Sequence, residues 1–184
     1  WDSYKGRGIK IGIVDDGLEI SHPDLAPNVA TGLHYDWNDD ENDNDPTPRP
    51  EHDDTHGTAV AGVAAARGGN SIGVSGVAPE AELVGLRLIS SQNSSSDEED
   101  AQAMAHRNDL IHIKNCSWGS ASAFFTASPL LEAARRDGAL NGRDGKGTLY
   151  VWAAGNERGY GQQGQKDGFT SSMYVNTIGA LTNK

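Results

Sequence analysis

The sequence contains only one cysteine and far fewer basic than acidic residues. A single cysteine can form neither an intrachain disulfide nor a cysteine-based zinc site, so Cys116 is expected to be a small core residue. Fifteen Lys and Arg residues stand against 26 Asp and Glu, for a net charge of −11. A nucleic-acid backbone requires a basic surface. The charge therefore argues against nucleic acid and favours cationic partners, either metal ions or basic peptides.

Long apolar runs are also missing. No window reaches the roughly 18 consecutive apolar residues that a membrane-spanning helix needs, so no membrane span is expected. The chain has 184 residues, 36% apolar content and 23 glycines, a composition typical of a turn-rich globular protein. We find no internal repeat and expect one domain over residues 1–184.

Short apolar segments predict the strands of a sheet. They lie at residues 9–14, 83–89, 110–114 and 149–153. Helix-like segments separate these strands, and this alternation predicts an α/β fold with a parallel sheet covered on both faces. In such folds ligands bind at the carboxyl ends of the strands.

Three helices are predicted between the strands. Two cover residues 56–66, which are rich in alanine, and 97–108, which opens with acidic residues. The third begins with Ser128 as its cap, followed by proline at the first helical position. Gly138 and Gly142 are expected at the end of that helix.

Polar motifs directly follow several of the predicted strands. Asp15-Asp16-Gly17 follows the first strand, and Ser117-Trp118-Gly119 and Gly155-Asn156 follow two later ones. His56 opens the first predicted helix. A carboxylate that orients an imidazole supplies two of the three members of a serine-protease triad. The alternative is that the aspartates are turn formers and Asn156 is a left-handed turn residue.

The order of the motifs resembles the subtilisin superfamily, and most closely its kexin/furin branch. The motifs are Asp-Asp-Gly after a strand, His-Pro-Asp-Leu, His-Gly-Thr-x-x-Ala-Gly, Ser-Trp-Gly and Ala-Gly-Asn, and the match runs from about residue 9 to residue 180. The resemblance implies a subtilisin-like three-layer α/β fold. It also implies that Asp15 is the triad acid, His56 the general base and Asn156 the oxyanion-hole donor.

The nucleophilic serine of that family, in a Gly-Thr-Ser setting, is absent from these residues. We therefore expect the N-terminal major part of a secreted or periplasmic serine endopeptidase, with a second polypeptide segment carrying the serine as its partner. A C-terminal lysine is what a protease with acidic pockets would leave after cleaving itself. Lys184 is accordingly expected to be a processing site, and an end unrelated to processing is the alternative.

The resemblance also implies a preference for Lys or Arg in a peptide or protein substrate. Asp16 and Asp53 match acidic positions that face the substrate residue second from the scissile bond. Asp167 matches the acid at the bottom of the pocket for the residue directly before that bond. The segment Ser117, Trp118 and Gly119 would pair with the extended substrate as an added strand. Two aspartates of the branch, after Trp-Gly and after the oxyanion asparagine, have no counterpart here.

Calcium is the implied cofactor, with two candidate sites. The first resembles a site common to the superfamily, and its ligands would be Asp24, Asn70 and the carbonyl groups of Arg67, Ile72 and Val74. The second lies in the acidic run from Asp36 to Asp45, whose two end residues match the family best. Many carboxylates close together require a cation, unless the run is simply a solvated acidic loop.

Two rival functions remain open from the sequence. A pseudoprotease would bind basic peptides without cleaving them, and it would lack the downstream Gly-Thr-Ser. A calcium-binding structural module would leave His56 and Asn156 without a role.

Overall fold

The computed structural model describes residues 3–38, 43–120, 124, 126–156 and 167–181. One six-stranded sheet forms its centre, in the order β2-β3-β1-β4-β5-β6. The strands are β1 (Lys10–Asp15), β2 (Tyr35–Asp36), β3 (Glu82–Arg87), β4 (Ile113–Cys116), β5 (Leu149–Ala153) and β6 (Val175–Ile178). Every neighbouring pair runs parallel, which confirms the predicted sheet.

Helices cover both faces of this sheet. They are α1 (His56–Ala65), α2 (Asp97–Ala105) and α3 (Pro129–Gly145), with short 3-10 turns at Ala26–Asn28 and Pro50–His52. In β1, Ile13 packs in one buried cluster with Ala61 of α1, whereas Val14 packs in the other with Met104 of α2 and Leu131 of α3. Because successive strand residues face opposite sides, the helices form two outer layers, as predicted.

The link between α2 and β4 differs from the prediction. Helix α2 ends at Ala105 rather than residue 108, because Arg107 has a φ of +46°. The next residues form a turn in which the amide of Ile111 donates to the carbonyl of Arg107. The predicted strand at 110–114 is therefore shifted, and β4 begins only at Ile113.

Helix α3 begins as predicted and ends later. Ser128 Oγ accepts a hydrogen bond from the amide of Leu131, 3.2 Å away. Gly138 lies inside the helix, where a methyl group would overlap the hydroxyl of Tyr150. This glycine therefore permits close helix–sheet packing and does not terminate the helix. The backbone leaves helical geometry only at residues 142–144, which include Gly142.

Two of the six strands were not predicted. Strand β2 has only two residues, and β6 contains the polar residues Asn176 and Thr177 and is largely exposed. Cys116 is buried and unpaired, as predicted. Within the described ranges, no helix combines the length and apolar character that crossing a membrane requires.

A buried histidine ties β2 to β3. His34 is only 7% exposed, and its Nδ1 accepts a hydrogen bond of 2.9 Å from the amide of Gly85. The ring must be unprotonated at Nδ1 to accept this bond. Burial lowers the pKa of His34, while the carbonyl of Ala30 and the carboxylate of Asp45 act in the opposite direction. Burial likewise lowers the pKa of His106 and of His112.

We expect the free energy of unfolding to fall as the pH is lowered from 7.5 to 5.5. Because the pKa of each of these three histidines is lower in the folded protein, the unfolded chain binds more protons as the pH falls through about 6.5. Proton binding therefore stabilises the unfolded chain more than the native one. The raised pKa of His56 acts the other way, but it is one histidine against three. In His34→Asn the amide oxygen can replace Nδ1 without titrating. Urea unfolding at several pH values should therefore show a shallower slope for this variant, and an unchanged slope would contradict the assignment.

Candidate active site

The carboxyl end of β1 carries two adjacent carboxylates. The strand is buried throughout its second half, and Asp15 at its end is fully buried. Strand β1 lies between β3 and β4 in the middle of the sheet. This is the edge at which ligands bind in parallel α/β folds, so the position alone makes Asp15 and Asp16 candidates for function.

Asp15 and His56 are in direct contact, as the sequence predicts for an acid and a base. His56 Nδ1 lies 2.8 Å from Asp15 Oδ1, which also accepts the amide hydrogen of Asp16 at 2.9 Å. Asp15 is inaccessible, whereas the His56 side chain is 55% exposed. The hydrogen bond to Asp15 raises the pKa of His56. Burial raises the pKa of Asp15, and the hydrogen bonds from His56 and Asp16 oppose that rise.

The start of α1 is held against the end of β1 by Asp16. Its Oδ2 accepts the amide hydrogen of His56 at 3.0 Å, and its Oδ1 accepts that of Gly57 at 2.6 Å. A methyl group on Gly57 would overlap the carbonyl of Gly17, so only glycine allows this approach. Sequence analysis missed this contact. The sequence carries no signal for it, because Thr55 is of a type that commonly caps helices, and only the structure shows that its side chain makes no capping bond.

The Ser117-Trp118-Gly119 segment follows β4 at the same edge. Trp118 donates from Nε1 to the carbonyl of Val14 at 2.7 Å, and its ring lies 4.8 Å from that of Trp152 and 5.1 Å from that of Phe169. Asn115 donates to Ser117 Oγ at 2.9 Å. A cavity of about 480 Å³ lies beside this segment and is bordered by the loop at residues 89–95.

Three further predicted residues lie around the same edge. Asp167 is half-buried, and a methyl on Gly119 would come within 3.3 Å of its Oδ2, so this carboxylate faces the segment after β4. Asn156 is exposed and follows Gly155, whose φ is +88°. Asp53 is exposed, directly follows the 3-10 turn before α1, and has a φ of +56°.

The first predicted calcium site is assembled around Asp24. Asp24 Oδ1 accepts from Asn70 Nδ2 at 2.7 Å, and its Oδ2 accepts from the amide of Val74 at 2.8 Å. These two bonds lower the pKa of Asp24. The amide of Ile72 donates to Asn70 Oδ1, and the amide of Arg67 donates to the carbonyl of Asp24. The loop at residues 67–74 is therefore folded against the carboxylate of Asp24. In the contacts observed, amide groups of this loop take part rather than its carbonyls.

The residues of the second predicted calcium site are arranged differently from expectation. Asp36 is buried, and its Oδ2 accepts from Arg87 Nη1 at 2.7 Å. Arg87 Nη2 also lies 3.5 Å from Asp54 Oδ2. Asp45 is exposed and accepts from the amide of Thr47. The cation that compensates Asp36 is thus a buried arginine. Residues 39–42 lie outside the described part of the chain. Among the described residues, no cluster of three or more His, Cys, Asp or Glu side chains suited to a metal is formed.

The sequence is similar to those of known proteins. The sequence matches the Subtilase family, Peptidase_S8, over residues 6–183. Endoprotease bli-4 of Caenorhabditis elegans is 39% identical over 183 residues, or 97% of this chain and 19% of that protein. The "Dibasic-processing endoprotease" of Schizosaccharomyces pombe is 37% identical over 185 residues, or 98% of this chain and 25% of that protein.

A solved structure agrees with the sequence comparisons. The structure named "S41 Psychrophilic Protease" superposes with a TM-score of 0.77 at 32% identity, covering 98% of this chain and 56% of that one. The present chain thus spans only part of the length of its relatives. The family match over nearly all of its residues, together with the Asp15–His56 pair at the edge of a parallel sheet, shows that the chain belongs to the subtilase family.

Proposed function

We propose that the whole protein is a calcium-dependent serine endopeptidase that cleaves after Lys or Arg. Asp15 is the triad acid, His56 the general base and Asn156 the oxyanion donor. The serine comes from a segment outside these 184 residues. The 2.8 Å contact between His56 Nδ1 and Asp15 Oδ1, at the carboxyl edge of the sheet, is the observation that carries the proposal.

The contact suits His56 to act as a base. When Nδ1 donates to Asp15, the neutral ring keeps its proton there, and Nε2 is the nitrogen left to accept another. In acyl transfer, Nε2 takes the proton of the serine hydroxyl and later gives it to the leaving amine. The buried carboxylate stabilises the imidazolium formed between these steps. Asn156 donates to the oxygen that becomes negative at the attacked carbonyl.

Acidic residues near the edge favour a basic substrate. Asp167 next to Gly119 takes the side chain directly before the scissile bond, and the exposed Asp53 takes the preceding one. A desolvated carboxylate favours Lys or Arg over neutral side chains through charged hydrogen bonds. The net charge of −11 and the name of the dibasic-processing relative support this preference. We also propose an extracytoplasmic location, as the family resemblance implies.

Asp167→Asn tests the substrate preference in the full-length protein. This substitution keeps the shape of the side chain and removes its charge. The ratio of kcat/KM for an Arg peptide to that for a matched Leu peptide should fall by about 10- to 150-fold, because one charged hydrogen bond contributes roughly 1.5–3 kcal/mol. Asp109→Asn, an exposed aspartate paired with Arg107, is the matched control. An unchanged ratio would mean that residues other than Asp167 determine the preference for Arg over Leu.

Calcium would be held by Asp24 and Asn70. Together they offer a carboxylate and, after rotation of the amide, a carbonyl oxygen, and both are ligands that this cation prefers. When bound, the ion supplies structural stabilisation of the loop at residues 67–74. The remaining oxygens would come from the carbonyls of that loop, including Arg67, Ile72 and Val74.

Chelation is expected to lower the melting temperature of the full-length protein. A ligand that binds only the folded state stabilises it by about 2.7 kcal/mol at 100 times its Kd. Calcium should restore the melting temperature better than magnesium, which demands a tighter octahedral geometry. Asp24→Asn should melt lower and respond less to chelator. The same melting curve with and without chelator at pH 7 would contradict the site.

The nucleophile belongs to the part of the protein that these residues do not include. The relatives are several times longer than this chain, which leaves room for a segment carrying the serine. Lys184 lies outside the described residues, and its role as a processing site stays a prediction.

A further inference from the structure

We infer that Asp16 is a positioning residue for His56: its carboxylate closes the first turn of α1 and so fixes the base beside Asp15. The inference rests on the proposed function, because it takes His56 as the base. It also differs from the substrate-binding role that the family resemblance implies for Asp16.

Both carboxylate oxygens of Asp16 are committed to the helix. One accepts from the amide of His56 at 3.0 Å and the other from that of Gly57 at 2.6 Å. The first amides of a helix have no partners within the helix, and a negative charge there is favoured by the helix dipole. The side chain of Thr55 makes no capping bond, and Asp16, directly after β1, supplies the cap instead. One of the two residues whose amides Asp16 binds is His56, which carries the catalytic imidazole.

The backbone of Asp16 is itself anchored on both sides. Its amide donates to Asp15 Oδ1 at 2.9 Å, and its carbonyl accepts from Arg87 Nε at 3.2 Å. Arg87 is buried in β3 and pairs with Asp36 at 2.7 Å. The side chain that caps α1 therefore extends from an anchored backbone at the end of β1. This anchoring fixes the distance between the carboxylate of Asp15 and the imidazole of His56.

The carboxylate of Asp16 is less accessible to a substrate than that of Asp53. Asp16 is 9% exposed, whereas Asp53, the other carboxylate predicted for the same substrate residue, is exposed. The positioning role of Asp16 can therefore be separated from substrate recognition by comparing variants at the two residues. Asp16 acts on His56 through its charge as well, because the nearby negative charge helps to raise the pKa of the imidazole.

The test compares Asp16→Ala, Asp16→Asn and Asp53→Asn in the full-length protein. Peptides carry Lys or Ala at the second position before the scissile bond. We expect Asp16→Ala to lower kcat at least tenfold on both peptides and Asp16→Asn, which keeps one acceptor, to lower it less. The acid limb of kcat/KM should move to lower pH in both variants. Asp53→Asn should change mainly the ratio between the two peptides.

A readout independent of turnover separates this inference from the proposed function. The titration of His56 followed by NMR should move to lower pH in Asp16→Asn and stay in place in Asp109→Asn, a surface control. Asp16→Asn also covers the case in which Asp16→Ala fails to fold. A wild-type protein without peptidase activity would sink the proposed function, while the titration would still test the cap. An active wild type whose Asp16→Asn variant changes only the Lys-to-Ala ratio, with kcat and the titration unmoved, would overturn the positioning role.

Discussion

His56→Ala in the full-length protein is expected to lower kcat by a factor on the order of 10⁶, because the proposed base for the serine hydroxyl is then missing. His56 is the histidine that contacts the buried Asp15, and its side chain is 55% exposed. The substitution leaves the amide of Asp16 as a donor to Asp15 Oδ1, and the melting temperature checks that the variant is folded. Turnover of an Arg-containing chromogenic peptide measures the loss.

His112→Asn provides the matched histidine control. His112 lies just before β4, where its Nδ1 accepts from the amide of Lys10, and an asparagine oxygen can take over that bond. This variant should turn over the peptide within about twofold of wild type. Residual activity of His56→Ala within tenfold of wild type would remove His56 from the mechanism.

Asp15→Asn should cost about 10⁴-fold in kcat, the scale typical of losing the triad acid. Asp15 Oδ1 accepts from both His56 Nδ1 and the amide of Asp16. An amide oxygen at the Oδ1 position can still accept from both donors, but the negative charge that stabilises the imidazolium is lost. If its nitrogen faces Nδ1, the imidazole carries its proton on Nε2 and can no longer act as a base. KM should change much less than kcat.

Asp15→Asn should also change the pH at which His56 titrates. Because the carboxylate raises the pKa of the imidazole, its loss should move the NMR titration to lower pH. Folding is checked by the melting temperature, since the side chain is fully buried. An Asp15→Asn protein with wild-type kcat and a well-formed fold would show that the contact is structural rather than catalytic.

The sequence predicts the centre of this site well because the motifs are local. Asp15 ends a buried strand and His56 opens a helix, and both positions follow from the pattern of apolar residues around them. The parallel topology then brings their two ends to one edge. Contacts between segments that are distant in sequence cannot be predicted from such local patterns. The cap on α1 depends on how closely the helix approaches β1, which Gly57 permits but no periodicity reveals.

Buried basic side chains are the other feature that the sequence did not reveal. Asp36 belongs to an acidic run that suggests a metal, yet its partner is Arg87 on β3, 51 residues away in sequence. Lys114 lies in a strand and is fully buried, with Nζ donating to the carbonyls of Ala103 and Met104 at 2.9 and 2.7 Å. These carbonyls belong to the last turn of α2. Both basic side chains satisfy groups that only the tertiary structure brings within reach.

Affinity labelling tests the central claim most directly. A peptidyl arginine chloromethyl ketone that occupies the site should alkylate the base: imidazole Nε2 bonds to the methylene carbon, chloride leaves and the ring proton passes to solvent. Peptide mapping of the labelled full-length protein should find the adduct on His56, formed much faster than with the matched leucine compound. An adduct absent from His56, or spread over the other histidines at equal rates for both compounds, would contradict the account.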